Sequence, residues 1–128
     1  MIYLDSSAIV KLVVREPESP ALRRFLSSHR DRISCSLART EVLRAVRHLG
    51  PSALRRARMV LDRVHLIRLD DSLLDTAAAL DARVLRSLDA IHLAAAQRVA
   101  ADLQALVTYD QRMAAAAAVL GFVVQAPH

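Results

Sequence analysis

Short strand-like apolar runs alternate with stretches of helical periodicity from one end of this chain to the other, and few folds admit that pattern. Ile2-Tyr3-Leu4 reads as a strand, after which Ser6 to Val14 repeats apolar residues at helical spacing through Ala8, Ile9, Leu12 and Val13. The proline-marked stretch Arg15 to Pro20 reads as a loop, Ala21 to Ser28 as a helix and Arg32 to Ser36 as a second strand. Leu37 to Leu49 predicts a helix stopped by Gly50-Pro51, Ser52 to Val64 a basic helix, and Leu66 to Leu69 a third strand. Ser72 to Leu85 and Asp89 to Ala100 read as helices, and Ala105 to Thr108 as a fourth strand. Asp110 opens a last helix, which Gly121 ends before a fifth strand, Phe122-Val123-Val124. The alternation predicts the α/β class: three layers, a parallel sheet and right-handed crossovers. With 128 residues, 54% of them hydrophobic, and no linker or internal repeat, residues 1–128 read as a single domain with one buried core.

In open α/β sheets ligands gather beyond the carboxyl ends of the strands, and four acids fall where such a sheet would deliver them to that edge. They are Asp5, Glu41, Asp89 and Asp110. Asp5, Asp89 and Asp110 stand at or near helix starts, where capping accounts for any one of them singly. Capping does not account for Glu41, which lies inside its helix beside the apolar stripe Ala38, Val42, Ala45, Val46 and Leu49, although Arg44 and Arg47 offer it ordinary partners. Asp70 and Asp71 also follow a strand and read as caps. With strand order 3-2-1-4-5, the crevice lies between the first and fourth strands, with Asp5 and Asp110 at its lip. Carboxylates brought together repel, and a divalent cation relieves the repulsion; oxygen-only ligation selects Mg²⁺ or Mn²⁺ over Zn²⁺. His92 follows Asp89 by about one helical turn and faces this pocket, packs between helices or is solvated.

Composition narrows the classes further. No apolar run approaches the roughly 20 residues of a membrane span, and Asp5 interrupts the apolar opening, so a cytoplasmic protein is expected. The single cysteine, Cys35, reads as a buried, inert thiol. Lys and Arg number 18 against 13 acids, and Lys11 is the only lysine. Arginine forks suit phosphate oxygens, and the helices bearing Arg39, Arg44, Arg47, Arg55, Arg56, Arg58 and Arg63 are the densest source of them. A basic surface around an acidic pocket fits a protein that cleaves phosphodiesters, although compositional bias produces the same charge.

Four segments, in this order and spacing, resemble the PIN-domain ribonucleases of the VapC toxin family. They are Ile2-Tyr3-Leu4-Asp5-Ser6-Ser7-Ala8, Ser36-Leu37-Ala38-Arg39-Thr40-Glu41-Val42, Leu85-Arg86-Ser87-Leu88-Asp89-Ala90-Ile91-His92-Leu93-Ala94 and Val107-Thr108-Tyr109-Asp110. The resemblance implies a five-stranded parallel sheet flanked by about seven helices, Mg²⁺ dependence, RNA cleavage, a cognate antitoxin and a homodimer. It implies Asp5 and Asp89 as metal ligands, Asp110 as completing the set or binding a second ion, and Glu41 as positioning water, with Ser6 and Thr108 as supporting hydroxyls. Metal-activated water would then leave a 5′-phosphate and a 3′-hydroxyl.

Other classes make different demands. A phosphoacceptor receiver domain needs an acidic pair at its first strand and a lysine after its fifth; here Ser6-Ser7 follow Asp5, and no lysine lies beyond Lys11. A catalytically silent RNA- or protein-binding module and a DNA-directed nuclease of the same superfamily remain as alternatives, because folds do not fix functions.

Overall fold

The computed structural model describes residues 1–81 and 85–128. Its sheet has five parallel strands: β1 (Ile2–Leu4), β2 (Arg32–Cys35), β3 (His65–Ile67), β4 (Ala105–Val107) and β5 (Val124–Gln125). They lie in the order β3-β2-β1-β4-β5, as the sequence predicts. β1 is central, with Tyr3 opposite Ile33 of β2 and Leu106 of β4. Chain direction reverses its winding between β1 and β4, which makes their carboxyl ends the crevice of the sheet.

Both faces of the sheet are covered, and the alternation of side chains along β1 shows how. Ile2 and Leu4 pack with α1 (Ser6–Val13), α2 (Ser19–Ser27), α3 (Leu37–Val46) and α4 (Pro51–Asp62) on one face. Tyr3 points to the other face, against α5 (Asp71–Ala79), α6 (Ser87–Arg98) and α7 (Gln111–Val119). All three β1 side chains are fully buried. Short 3₁₀ turns at Arg47–Leu49 and Ala100–Asp102 complete the described helical structure.

Local chemistry sets the boundaries. α2 begins before the predicted Ala21 because Pro20 fits a first helical turn, where its missing N–H is no loss, and the buried Ser19 hydroxyl donates to the Lys11 carbonyl at 2.7 Å. Gly50, at φ 93°, stops the turn after α3 and lets Pro51 open α4. The helix predicted over Ser72 to Leu85 ends at Ala79, where Leu80 turns to extended backbone (φ −69°, ψ 148°); residues 82–84 of that prediction lie outside the described residues. The fifth strand forms at Val124–Gln125, slightly later than predicted, where bonds from Leu106 N–H to Val123 O and from Thr108 N–H to Gln125 O fix its register. No helix among the described residues is long and apolar enough to cross a membrane.

Candidate active site

Asp5 immediately follows β1 and caps α1 from the crevice, almost wholly buried. Its Oδ1 accepts from the Ala8 N–H at 3.0 Å and the Ser7 hydroxyl at 2.6 Å, and its Oδ2 accepts from the Thr108 hydroxyl beyond β4. Burial raises its pKa, and the donors from Ser7, Thr108 and Ala8 only partly offset the effect. Thr108 Oγ1 also accepts the Asp110 N–H at 3.1 Å, so one hydroxyl ties the two lips of the crevice together.

Asp110 caps α7: its Oδ1 accepts from the Arg112 N–H at 2.8 Å and the Met113 N–H at 3.2 Å. Its Oδ2 has no hydrogen bond among the described residues. Asp89 behaves differently from the expected cap. α6 starts two residues earlier, at Ser87, which places Asp89 in the first turn rather than at its cap, and its carboxylate makes no hydrogen bond among the described residues. Partial burial raises its pKa, and repulsion from Asp110, then Asp5 and Glu41, adds to the rise against the opposing pull of His92. Asp89 therefore feels the charges of the other three acids.

Glu41 does not turn to Arg44 or Arg47. Its Oε1 accepts from the Ser6 hydroxyl at 2.7 Å and from His92 Nε2 at 2.7 Å. His92 is 3% exposed and reaches over the sheet edge from α6, with its Nδ1 2.9 Å from the Tyr3 hydroxyl and 3.6 Å from Cys35 Sγ. Burial works to discharge His92, but its contacts with Cys35 and Glu41, with Asp5 nearby, push its pKa up to about 10. Burial likewise raises Glu41, yet the bonds from His92 and Ser6 bring it below the usual carboxylate value. The two shifts agree on an imidazolium–carboxylate pair. Both ring nitrogens of the charged His92 then donate, Nε2–H to Glu41 and Nδ1–H to the Tyr3 oxygen.

The pocket is all-oxygen where it is acidic, which suits a hard divalent ion, and the repulsion felt by Asp89 is what such an ion relieves. Among the described residues, no group of three or more Asp, Glu, His or Cys side chains is gathered closely enough to hold a metal as it stands. The acids are poised around the crevice, not closed into a cage. Asp70, by contrast, caps α5 as predicted and is clasped by Arg98 through two 2.8 Å contacts, which remove it from this set. Lys11 is similarly committed: it bonds Glu18 at 2.8 Å and lies 4.8 Å above the Tyr109 ring. The basic surface is thus arginine alone.

The sequence reading left the orientation of His92 open and missed Tyr3 and Cys35 as its partners. The apolar character of Tyr3 and Cys35 within their strands marks them as core, and nothing local marks them as a floor for the site.

The PIN domain family model matches residues 2–119. Ribonuclease VapC46 of Mycobacterium tuberculosis is 56% identical over 126 residues, covering 98% of this chain and 97% of that protein. The chain belongs to the VapC family of PIN-domain ribonucleases. Ribonuclease VapC47 of the same species is 39% identical over 132 residues, covering 99% and 97% of the two chains. Among solved structures, the M. tuberculosis toxin VapC20, described as cleaving the sarcin–ricin loop, aligns with TM-score 0.76 at 19% identity over 99% of this chain and all of that one. A toxin–antitoxin complex from Klebsiella pneumoniae aligns with TM-score 0.69 at 21% identity over 86% of this chain and 87% of that one. At those identities the two structures show the shared fold. The VapC sequence relatives establish the family.

Proposed function

We propose that this VapC chain is a Mg²⁺-dependent endoribonuclease toxin that hydrolyses RNA phosphodiester bonds with water and is restrained by a cognate antitoxin protein. The observation that carries the reading is the Thr108 hydroxyl tying Asp5 to Asp110 where β1 and β4 end, beside Asp89, whose carboxylate makes no hydrogen bond among the described residues and is repelled by Asp110, Asp5 and Glu41. Relatives named as ribonucleases and a neighbour solved as a toxin–antitoxin complex support the substrate and partner classes. A homodimer and a cytoplasmic location belong to the same reading.

Asp5, Asp89 and Asp110, with Glu41, would hold Mg²⁺, or Mn²⁺ in its place. When bound, the ion supplies a lowered water pKa and neutralises charge on the phosphoryl oxygens. Asp5 is braced by three donors, so its carboxylate is preorganised before any ligand arrives. Asp89 and the Oδ2 of Asp110, which accept no hydrogen bond among the described residues, leave acceptor positions for a ligand. Glu41, fixed by Ser6 and His92, is positioned to orient a water or take its proton. Exposed arginines such as Arg39 and Arg44 grip phosphates.

The test is digestion of single-stranded RNA by purified protein with Mg²⁺ and with EDTA, with Asp5→Asn as the inactive comparison. Cleavage should need the ion and Asp5 and leave 5′-phosphate and 3′-hydroxyl ends. A 2′,3′-cyclic phosphate would refute attack by water. Parallel digestion of single-stranded DNA separates the DNA-directed alternative, and intact RNA under every condition would favour a silent binding module.

A further inference from the structure

A buried histidine needs a partner at each ring nitrogen, and the partners of His92 come from four different elements, the Ser6 hydroxyl of α1 lying 3.2 Å from its Nε2. Its Nε2 reaches Glu41 of α3 at 2.7 Å, and its Nδ1 reaches the Tyr3 hydroxyl of β1 at 2.9 Å, beside Cys35 of β2 at 3.6 Å. The ring stands edge-on to Tyr3, at 84° between planes and 6.0 Å between centroids, so the imidazole plane is fixed as well as its position. α3 and α6 lie on opposite faces of the sheet, so the His92–Glu41 bond crosses over the crevice edge. Without it, the only side-chain hydrogen bond left to Glu41 among the described residues would be from Ser6.

We propose that His92 is a positioning residue for this nuclease: anchored on Tyr3 and Cys35, it fixes the Glu41 carboxylate in the orientation that serves the site. The inference rests on the ribonuclease reading above and adds to it a residue that touches neither substrate nor ion. Glu41 has three side-chain torsions, and a carboxylate free to rotate would face the crevice for only part of the time. A partner on its Oε1 selects one rotamer and leaves Oε2 for the ligand. Partners of this kind behind metal-site ligands typically change affinity or activity by about 10- to 100-fold when removed. Tyr3 and Cys35 act one step further back, by stopping the imidazole from turning.

The experiment is a double-mutant cycle of His92→Leu and Glu41→Gln, with His92→Gln as the conservative variant and Tyr3→Phe as a milder one that keeps the buried ring. Each protein is checked for folding by circular dichroism, then measured for kcat and KM on single-stranded RNA with Mg²⁺. Binding of Mn²⁺ alone is measured by calorimetry. His92→Leu should lower kcat by about 10- to 100-fold with KM within about twofold, and weaken Mn²⁺ binding. His92→Gln, which keeps an N–H donor toward Glu41, should recover most of the loss, and Tyr3→Phe should show a smaller one. In the Glu41→Gln background, His92→Leu should add almost nothing.

Additive losses, no recovery in His92→Gln, or unchanged kcat and Mn²⁺ binding in folded His92→Leu and Tyr3→Phe would overturn the role. If wild type fails to cleave RNA with Mg²⁺, the ribonuclease reading fails instead. The Mn²⁺ cycle then still decides whether His92 acts through Glu41.

Discussion

Thr108 and Asp5 stand 103 positions apart in the chain, yet the Thr108 hydroxyl donates to Asp5 Oδ2 at the point where β1 and β4 end side by side. The same oxygen accepts the Asp110 N–H, so Thr108 holds together two acids of the crevice that the sequence supplies from opposite ends.

Replacing Thr108 with Val keeps the shape and deletes both bonds. Asp5 is buried, so its carboxylate would be left one donor short, and an unsatisfied buried acceptor costs about 1–3 kcal/mol, more when it is charged. Urea unfolding of Thr108→Val in EDTA should show a loss of that order, with nuclease activity also reduced. Stability within about 0.5 kcal/mol of wild type, the range of an ordinary surface change, would show that the bond carries no weight.

Asp5 and Asp89 both have raised pKa values, chiefly through burial. For a carboxylate raised on folding, the stabilising contribution is complete below the unfolded value, near 3.8, and is lost as pH rises through the folded value. In EDTA, wild-type stability should therefore fall as pH climbs from about 4 toward neutrality, while Asp89→Asn should flatten the decline and be more stable at pH 7. Mg²⁺ should raise the melting temperature of wild type by binding the native state, and raise that of Asp89→Asn much less. Thermal melts across pH, with and without the ion, check both parts; an Asp89→Asn protein less stable than wild type at pH 7 in EDTA would contradict the repulsion.

Much of this was legible in the sequence, for identifiable reasons. Strands as short as three residues were readable because β1 and β4 are buried on both faces and so are apolar throughout. Glu41 stood out because a mid-helix acid beside an apolar stripe has no capping role. The His92–Tyr3–Cys35 cluster was not legible, since periodicity assigns a residue to a face and does not say which distant side chain meets it there. Tyr3 and His92 are 89 positions apart. The end of α5 was missed for a related reason: Leu80 and Leu85 continue the apolar pattern, and the backbone turns at Leu80 regardless.

Asp70, read from the sequence as a cap, provides a negative control. It follows a strand like Asp5, but hydrogen bonds from Arg98, and then from the Leu73 N–H, lower its pKa to about 2. Its contribution is present above the unfolded value and lost only as pH falls toward 2, outside any working range. Asp70→Asn should leave Mg²⁺-dependent cleavage within about twofold of wild type, where Asp5→Asn loses it by orders of magnitude. A comparable loss in both would mean that the acidic set has been drawn too small.

The direction of the strands also sorts the arginines. Arg39 lies in the first turn of α3, immediately after β2, and so at the carboxyl edge of the sheet, where Asp5 and Asp110 stand; Arg63 follows α4 and precedes β3, at the opposite edge. Both are exposed, and composition treats them alike. If phosphates of the substrate approach the crevice, removing Arg39 deletes a contact and removing Arg63 does not. Binding of a single-stranded RNA to cleavage-deficient Asp5→Asn, titrated across salt, should lose about 0.7 from its log–log slope on adding Arg39→Ala and stay unchanged on adding Arg63→Ala. Equal slopes for the two double variants would mean that the RNA does not run along the crevice edge, and the basic helices would then have to be read as a solvated surface.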